Sequence, residues 1–144
     1  MLRKFIRAGV VAGLGMAMMM FAYEAASATP QDKKDEKVPS IIEIMTKGHD
    51  GPQAYISKIK TAAKAEKWDD AKTLASKFKE LGEAITKCDP PKGDKDSWAK
   101  MTKKYKDDTI AVADAVEKKD AKAVSTATAV FNKSCKACHD AHKE

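Results

Sequence analysis

The sequence predicts an all-α protein with the architecture of an antiparallel four-helix bundle. Apolar residues recur every three or four positions through most of the chain, which is the period of an amphipathic helix. Alanine and lysine are abundant, and no segment shows the alternation of apolar and polar residues that is typical of a half-buried strand. Four main helical segments with short connections between them indicate a bundle of antiparallel helices.

The N-terminus has the order of a secretory signal peptide. Basic residues precede an apolar run from Ala8 to Phe21, and a segment of small residues then ends in Ala28. This order predicts a signal peptide over residues 1–28 that is cleaved after Ala28. The alternative is an uncleaved anchor, although the apolar run is shorter than the roughly 20 residues of a membrane span.

Residues 29–38 are rich in charge and have no apolar period, which predicts a flexible leader before the bundle of residues 39–144. The first helix is predicted to begin near Pro39-Ser40, where proline suits the first turn. Its inward positions are Ile41, Ile44, Met45 and Gly48. Pro52 then disfavours a continuous helix. The second helical piece has inward positions Tyr55, Ile56, Ile59 and Ala63.

Three longer helices are predicted to follow, separated by polar segments. The first of them runs from Trp68-Asp69 to about Lys87, with inward positions Ala71, Leu74, Phe78, Leu81 and Ile85. The segment Cys88–Asp96 contains two prolines and a glycine and is a loop. Asp96 or Ser97 caps the next helix, which Lys118-Lys119 closes. Its inward positions are Trp98, Met101, Tyr105, Thr109, Val112 and Val116. Asp120 caps the last helix, with inward positions Val124, Thr128, Phe131, Cys135 and Cys138.

The last helix carries the motif C-K-A-C-H, from Cys135 to His139. On a helix the two thiols are three residues apart and His139 is four from Cys135, so all three side chains project toward one side. This motif is typical of c-type haem attachment, in which the two thiols form thioether bonds to the haem and the adjacent imidazole binds its iron. An export signal places the thiols in a compartment where such attachment occurs.

Two other sites can be built from these residues. A bare C-x-x-C pair occurs in thioredoxin-like redox proteins, but that site needs a βαβ setting, which the sequence does not indicate. Cys135, Cys138, His139 and His142 form a set of zinc-ligand types. The direct adjacency of Cys138 and His139 is awkward for a tetrahedral site, so haem is favoured over zinc.

The C-terminal stretch S-C-K-A-C-H-D-A-H-K, from Ser134 to Lys143, resembles that of class II cytochromes c, the family of cytochrome c′ and its low-spin, methionine-ligated relatives. The resemblance implies an exported four-helix bundle with one covalent haem on its last helix, and many members of the family dimerise. Members usually place an aromatic residue and then a base after the motif. Here those positions hold His142 and Lys143, and Lys143 can still face a haem propionate.

The resemblance also implies that the sixth ligand of the iron comes from the first helix. The segment Ile41–Lys47 is similar to that part of the family, and Met45 falls on the ligand position. The alternative for Met45 is an ordinary core methionine. His49 is the rival ligand because it lies four residues further along the same helix face. The glycines around His49 and Pro52 favour a side chain that turns away, and His142, near the chain end, is expected to be exposed.

These predictions point to a periplasmic one-electron carrier without enzymatic activity. Gas binding at an open iron is the alternative, whereas a peroxidase lacks support because both arginines, Arg3 and Arg7, belong to the signal. Loss of the signal lowers the net charge from +6 to +4, and the remaining lysines suit a redox partner with an acidic surface better than a nucleic acid. The unpaired Cys88 is either an inert thiol or a site of intermolecular pairing.

Overall fold

The computed structural model describes residues 37–143, which contain five α-helices and no strand. The all-α prediction is therefore confirmed for this part of the chain. The predicted signal peptide and residues 29–36 of the predicted leader lie outside the described residues. The helices are α1 (Ile41–His49), α2 (Tyr55–Lys64), α3 (Trp68–Ile85), α4 (Lys95–Glu117) and α5 (Ala121–His142).

Short polar side chains begin three of the helices. Ser40 caps α1 by accepting a hydrogen bond from the Glu43 amide, and Pro39 precedes this cap instead of occupying the first turn. Asp120 caps α5 as predicted. The cap of α4 is Asp94, whose carboxylate accepts from the Ser97 amide at 2.8 Å, so that helix begins before the predicted Asp96 or Ser97.

The apolar stripes of the helices meet in two groups of buried side chains. The main core lies between α2, α3, α4 and α5 and includes Phe78, Val112 and Phe131, all fully buried. A second group, which we call the motif-end cluster, consists of Ile44, Leu81, Ile85 and Trp98. Met45, Cys88 and Cys138 pack against the motif-end cluster, whereas Cys135 packs against the main core. The thiols of the C-x-x-C-H motif therefore lie where the two groups meet.

Some pairs of helices bring their backbones closer together than others. α3 packs closely on α4 and on α2, and α5 packs closely on α4 and on α2. Gly82 makes the α3–α4 approach possible, because a Cβ there would clash with the Thr109 hydroxyl and lie 3.2 Å from the Lys106 Cα. Within residues 37–143 the backbone of α1 comes closest to α2 and α3, and the pair α1 and α5 is not among the closely packed pairs. No helix in this range is both long and apolar enough to cross a bilayer.

Candidate haem-attachment site

The two thiols of the motif are unbonded and lie at the edge of the core. Cys135 and Cys138 are both half-buried on α5, and neither forms a disulfide. The Cys135 Sγ lies 3.7 Å from the Phe131 carbonyl oxygen. Burial raises the pKa of both thiols, and proximity to Cys135 raises the pKa of Cys138 further. Both side chains are therefore neutral S–H groups at neutral pH.

His139 completes the motif and is exposed on α5. His139 is a smaller cause, after burial, of the lowered pKa of His49. The motif therefore carries a solvent-accessible imidazole beside two half-buried thiols.

Met45 and His49 lie together on α1, with the His49 Nε2 3.1 Å from the Met45 Sδ. A thioether only accepts hydrogen bonds, so Nε2 carries the proton and donates it. The expectation that His49 turns away is wrong. Its ring points inward and lies 5.3 Å from the ring of Phe131 and 5.6 Å from that of Tyr105, measured between centroids.

Gly48 explains why His49 is directed inward. A Cβ at Gly48 would lie 3.1 Å from the Tyr105 Oη and 3.5 Å from the Phe78 ring. The missing side chain lets the end of α1 approach α3 and α4, and the next residue then projects into the interior. Glycine at this position therefore favours close packing, in agreement with its predicted inward position.

Two polar atoms in this region are buried without a hydrogen-bond partner, the His49 Nδ1 and the Tyr105 Oη. Burial, with a smaller contribution from His139, lowers the pKa of His49 from 6.5 to about 4. Burial also raises the pKa of Tyr105 well above its ordinary value. Both side chains are therefore neutral at neutral pH. An unpartnered buried polar atom costs about 1–3 kcal/mol and is often found at functional sites.

The interval between α1 and α5 lies beside the two thiols of the motif. These helices are not closely packed, and the interval between them is filled by side chains, chiefly Met45, His49 and Phe131 with the two thiols. Flexible or ring side chains can rotate without breaking the helices that carry them. The unpartnered polar atoms and the thiol pair adjoin this same interval, so the residues present fit a covalently attached haem.

His142 is buried, with 2% of its surface exposed, so the expectation that it is exposed is wrong. Its Nδ1 lies 2.8 Å from the Lys92 carbonyl oxygen, which only accepts, so Nδ1 is the donor. Its Nε2 lies 3.1 Å from the Ser97 Oγ and accepts from it when the ring is neutral. The ring also meets Trp98 edge to face at 5.3 Å. Both ring nitrogens are thus occupied, which leaves His142 unsuited to the zinc set considered above.

Replacing His142 by alanine is expected to lower the free energy of unfolding by about 2–3 kcal/mol, because it leaves a cavity and an unpaired Lys92 carbonyl. The measurement is urea unfolding followed by circular dichroism. Lys143→Ala is the matched control, since its side chain is exposed and its loss changes stability by about 0.5 kcal/mol or less. Equal stability of the two variants would contradict this role for His142.

Cys88 fits the prediction of an inert thiol better than that of a site of intermolecular pairing. It is half-buried, with Sγ 3.6 Å from the Ala84 carbonyl oxygen and 3.7 Å from that of Pro39. Burial raises the pKa of this thiol, which makes it less reactive.

Sequence reasoning missed Asp108, which is the one buried acidic residue within residues 37–143. A signal was available, because Asp108 comes three residues after Tyr105 and four before Val112 and so falls on the inward stripe of α4.

No family model, curated protein or solved structure matches this chain. The resemblance to class II cytochromes c therefore depends on the C-terminal motif and on the helical pattern. The βαβ setting of a thioredoxin-like site does not occur within residues 37–143.

Proposed function

We propose that this protein is a class II cytochrome c, exported to the periplasm, which carries one electron on a covalent haem and has no enzymatic activity. The observation that carries this proposal is the pair of unbonded, neighbouring thiols on α5, which the accessible His139 directly follows. In this proposal α1 and α2 together form one arm of an antiparallel four-helix bundle, and α3, α4 and α5 form the others.

Cys135 and Cys138 would hold the haem. Each thiol would form one thioether bond to a vinyl group of the haem, with the thiol proton going to the other vinyl carbon, so attachment would need no oxidant. His139 would provide the proximal nitrogen to the iron. When bound, the haem supplies an iron that alternates between Fe(II) and Fe(III).

Met45 is the residue we propose as the sixth ligand. It is half-buried, and it packs on the same motif-end cluster as Cys138. A thioether ligand raises the reduction potential and is typical of electron carriers. His49 is the rival ligand, and its hydrogen bond to the Met45 Sδ gives it a second way to act, by orienting the thioether.

The surface of the protein suits transient encounters with a protein partner. Many lysines are exposed along the helices, and the mature chain is expected to carry a net charge of +4, so a partner with an acidic surface would be steered toward it. We propose such a periplasmic redox partner. Nucleic acid is not proposed as a partner.

One observation favours a second function, the binding of a diatomic gas. The unpartnered His49 Nδ1 and Tyr105 Oη put polar atoms on the α1 side of the site. If Met45 does not bind the iron, this side is open and a small ligand could occupy it. Nitric oxide and carbon monoxide are the ligands that this alternative predicts.

The visible spectrum of the purified protein, with and without carbon monoxide, distinguishes the two functions. An electron carrier ligated by Met45 is expected to be low-spin in both oxidation states, to show a methionine-to-iron charge-transfer band when oxidised, and to bind carbon monoxide slowly. A high-spin spectrum with rapid carbon monoxide binding would instead establish the gas-binding function.

A further inference from the structure

Asp108 is a carboxylate held in the interior of the protein near the motif. The residue lies on α4 and is 9% exposed. The Lys104 Nζ contacts both of its oxygens, at 2.9 and 2.7 Å, and the Ser134 Oγ lies 3.0 Å from Oδ2. Ser134 also lies 2.7 Å from the Phe131 carbonyl oxygen, so its single proton is shared between two acceptors.

The ion pair between Lys104 and Asp108 is unequal in its exposure to water. The Lys104 side chain is 55% exposed, whereas that of Asp108 is 11% exposed. Water screens the ammonium group strongly and the carboxylate weakly, so the pair as a whole presents a negative field to the interior.

This field reaches the motif. Ser134, which contacts the carboxylate, directly precedes Cys135 in α5. Burial is the main cause of the raised pKa of Cys135, and the Asp108 carboxylate raises that pKa further. The thiol that would hold the haem is therefore within the electrostatic influence of Asp108.

We propose that Asp108 lowers the reduction potential of the haem held by Cys135 and Cys138, and that Lys104 partly offsets this effect. The inference depends on the proposed haem attachment. Oxidised iron carries one more positive charge than reduced iron, so a poorly screened carboxylate stabilises the oxidised form and a nearby ammonium group destabilises it.

The same helix contains a matched control. Lys103 and Asp107 form an ion pair with the same four-residue spacing, at 2.6 Å, but their side chains are 74% and 54% exposed. Water surrounds both members of this pair, so removal of either charge should hardly change the potential.

The test is the midpoint potential of the haem-loaded protein in four variants, all measured at one pH in the same buffer. Asp108→Asn is expected to raise the reduced-to-oxidised ratio at a fixed ambient potential by about fivefold, the size of effect given by a unit charge at moderate distance and effective dielectric. Lys104→Met is expected to lower this ratio. Asp107→Asn and Lys103→Met are expected to change it less than about twofold.

The opposite signs of the two shifts distinguish electrostatic tuning from a structural role, which has no reason to reverse sign. The Asp108→Asn shift should also persist at high salt, because a buried charge is poorly screened.

Equal shifts in Asp108→Asn and Asp107→Asn, or no shift in Asp108→Asn, would overturn the inference. If Asp108→Asn fails to fold, an unchanged or raised ratio in Lys104→Met would overturn it, since Lys104 is exposed and its variant should fold. Absence of haem from the unaltered protein would contradict the proposed function instead.

Discussion

Replacing both Cys135 and Cys138 by alanine is expected to give a colourless protein, when it is produced in a host that attaches haem to exported proteins. The two thiols are the unbonded, neighbouring pair on α5, and both thioether bonds would be lost with them. The remaining residue of the motif, His139, is exposed. It would form only one bond to the iron, which is too little to retain haem through purification. The measurement is the haem absorbance per polypeptide, with the polypeptide quantified by immunoblot.

Cys88→Ala is the matched control for this experiment, because Cys88 is also a half-buried, unbonded cysteine. It is expected to retain full colour. Its sulfur contacts the Ala84 and Pro39 carbonyl oxygens, and the residue follows the C-terminal end of α3, whereas the motif lies on α5. The single variants Cys135→Ala and Cys138→Ala should each retain one thioether and less haem. Covalent haem in the double variant, or loss of colour in Cys88→Ala, would disprove the assigned attachment site.

Replacing Met45 by alanine is expected to open the sixth position of the iron. The oxidised protein should lose the methionine charge-transfer band and become high-spin. Its affinity for carbon monoxide should rise by more than about tenfold, because the gas no longer competes with an internal ligand. The reduction potential should fall, since a thioether raises it. Visible spectra and a carbon monoxide titration measure these changes.

His49→Ala is the companion variant, because its side chain contacts Met45 on the same helix face. If Met45 is the ligand, His49→Ala keeps the charge-transfer band, and its potential shifts less than that of Met45→Ala. If His49→Ala becomes high-spin while Met45→Ala stays low-spin, His49 is the ligand and the proposed role of Met45 is wrong.

The long helices could be predicted from sequence because their signals are local. Phe78 and Val112 recur on regular apolar stripes, and both are fully buried as expected. Asp120 was identified as the cap of α5 from its position before an apolar stripe. The start of α4 was misplaced by two residues, because several aspartates in this loop can serve as caps and only Asp94 reaches the Ser97 amide.

The errors at the site have tertiary causes. The surroundings of His142 include Lys92 and Ser97, which are 50 and 45 residues away along the chain, so that proximity to the C-terminus was misleading. The inward direction of His49 depends on how closely Gly48 approaches Tyr105, which no local pattern encodes. Cys135 and Cys138 were proposed from the spacing within their motif, which is a local signal, and the structure places both half-buried on α5.

Covalent attachment of one haem to Cys135 and Cys138 can be tested by extraction of the denatured protein. The unaltered mature protein, denatured and extracted with acidified organic solvent, should keep its colour with the polypeptide. Its alkaline pyridine spectrum should be that of a haem with two thioether bonds, at one haem per chain, and its mass should exceed that of residues 29–144 by one haem. A colourless protein, or haem that passes into the organic phase, would show that Cys135 and Cys138 hold no covalent haem.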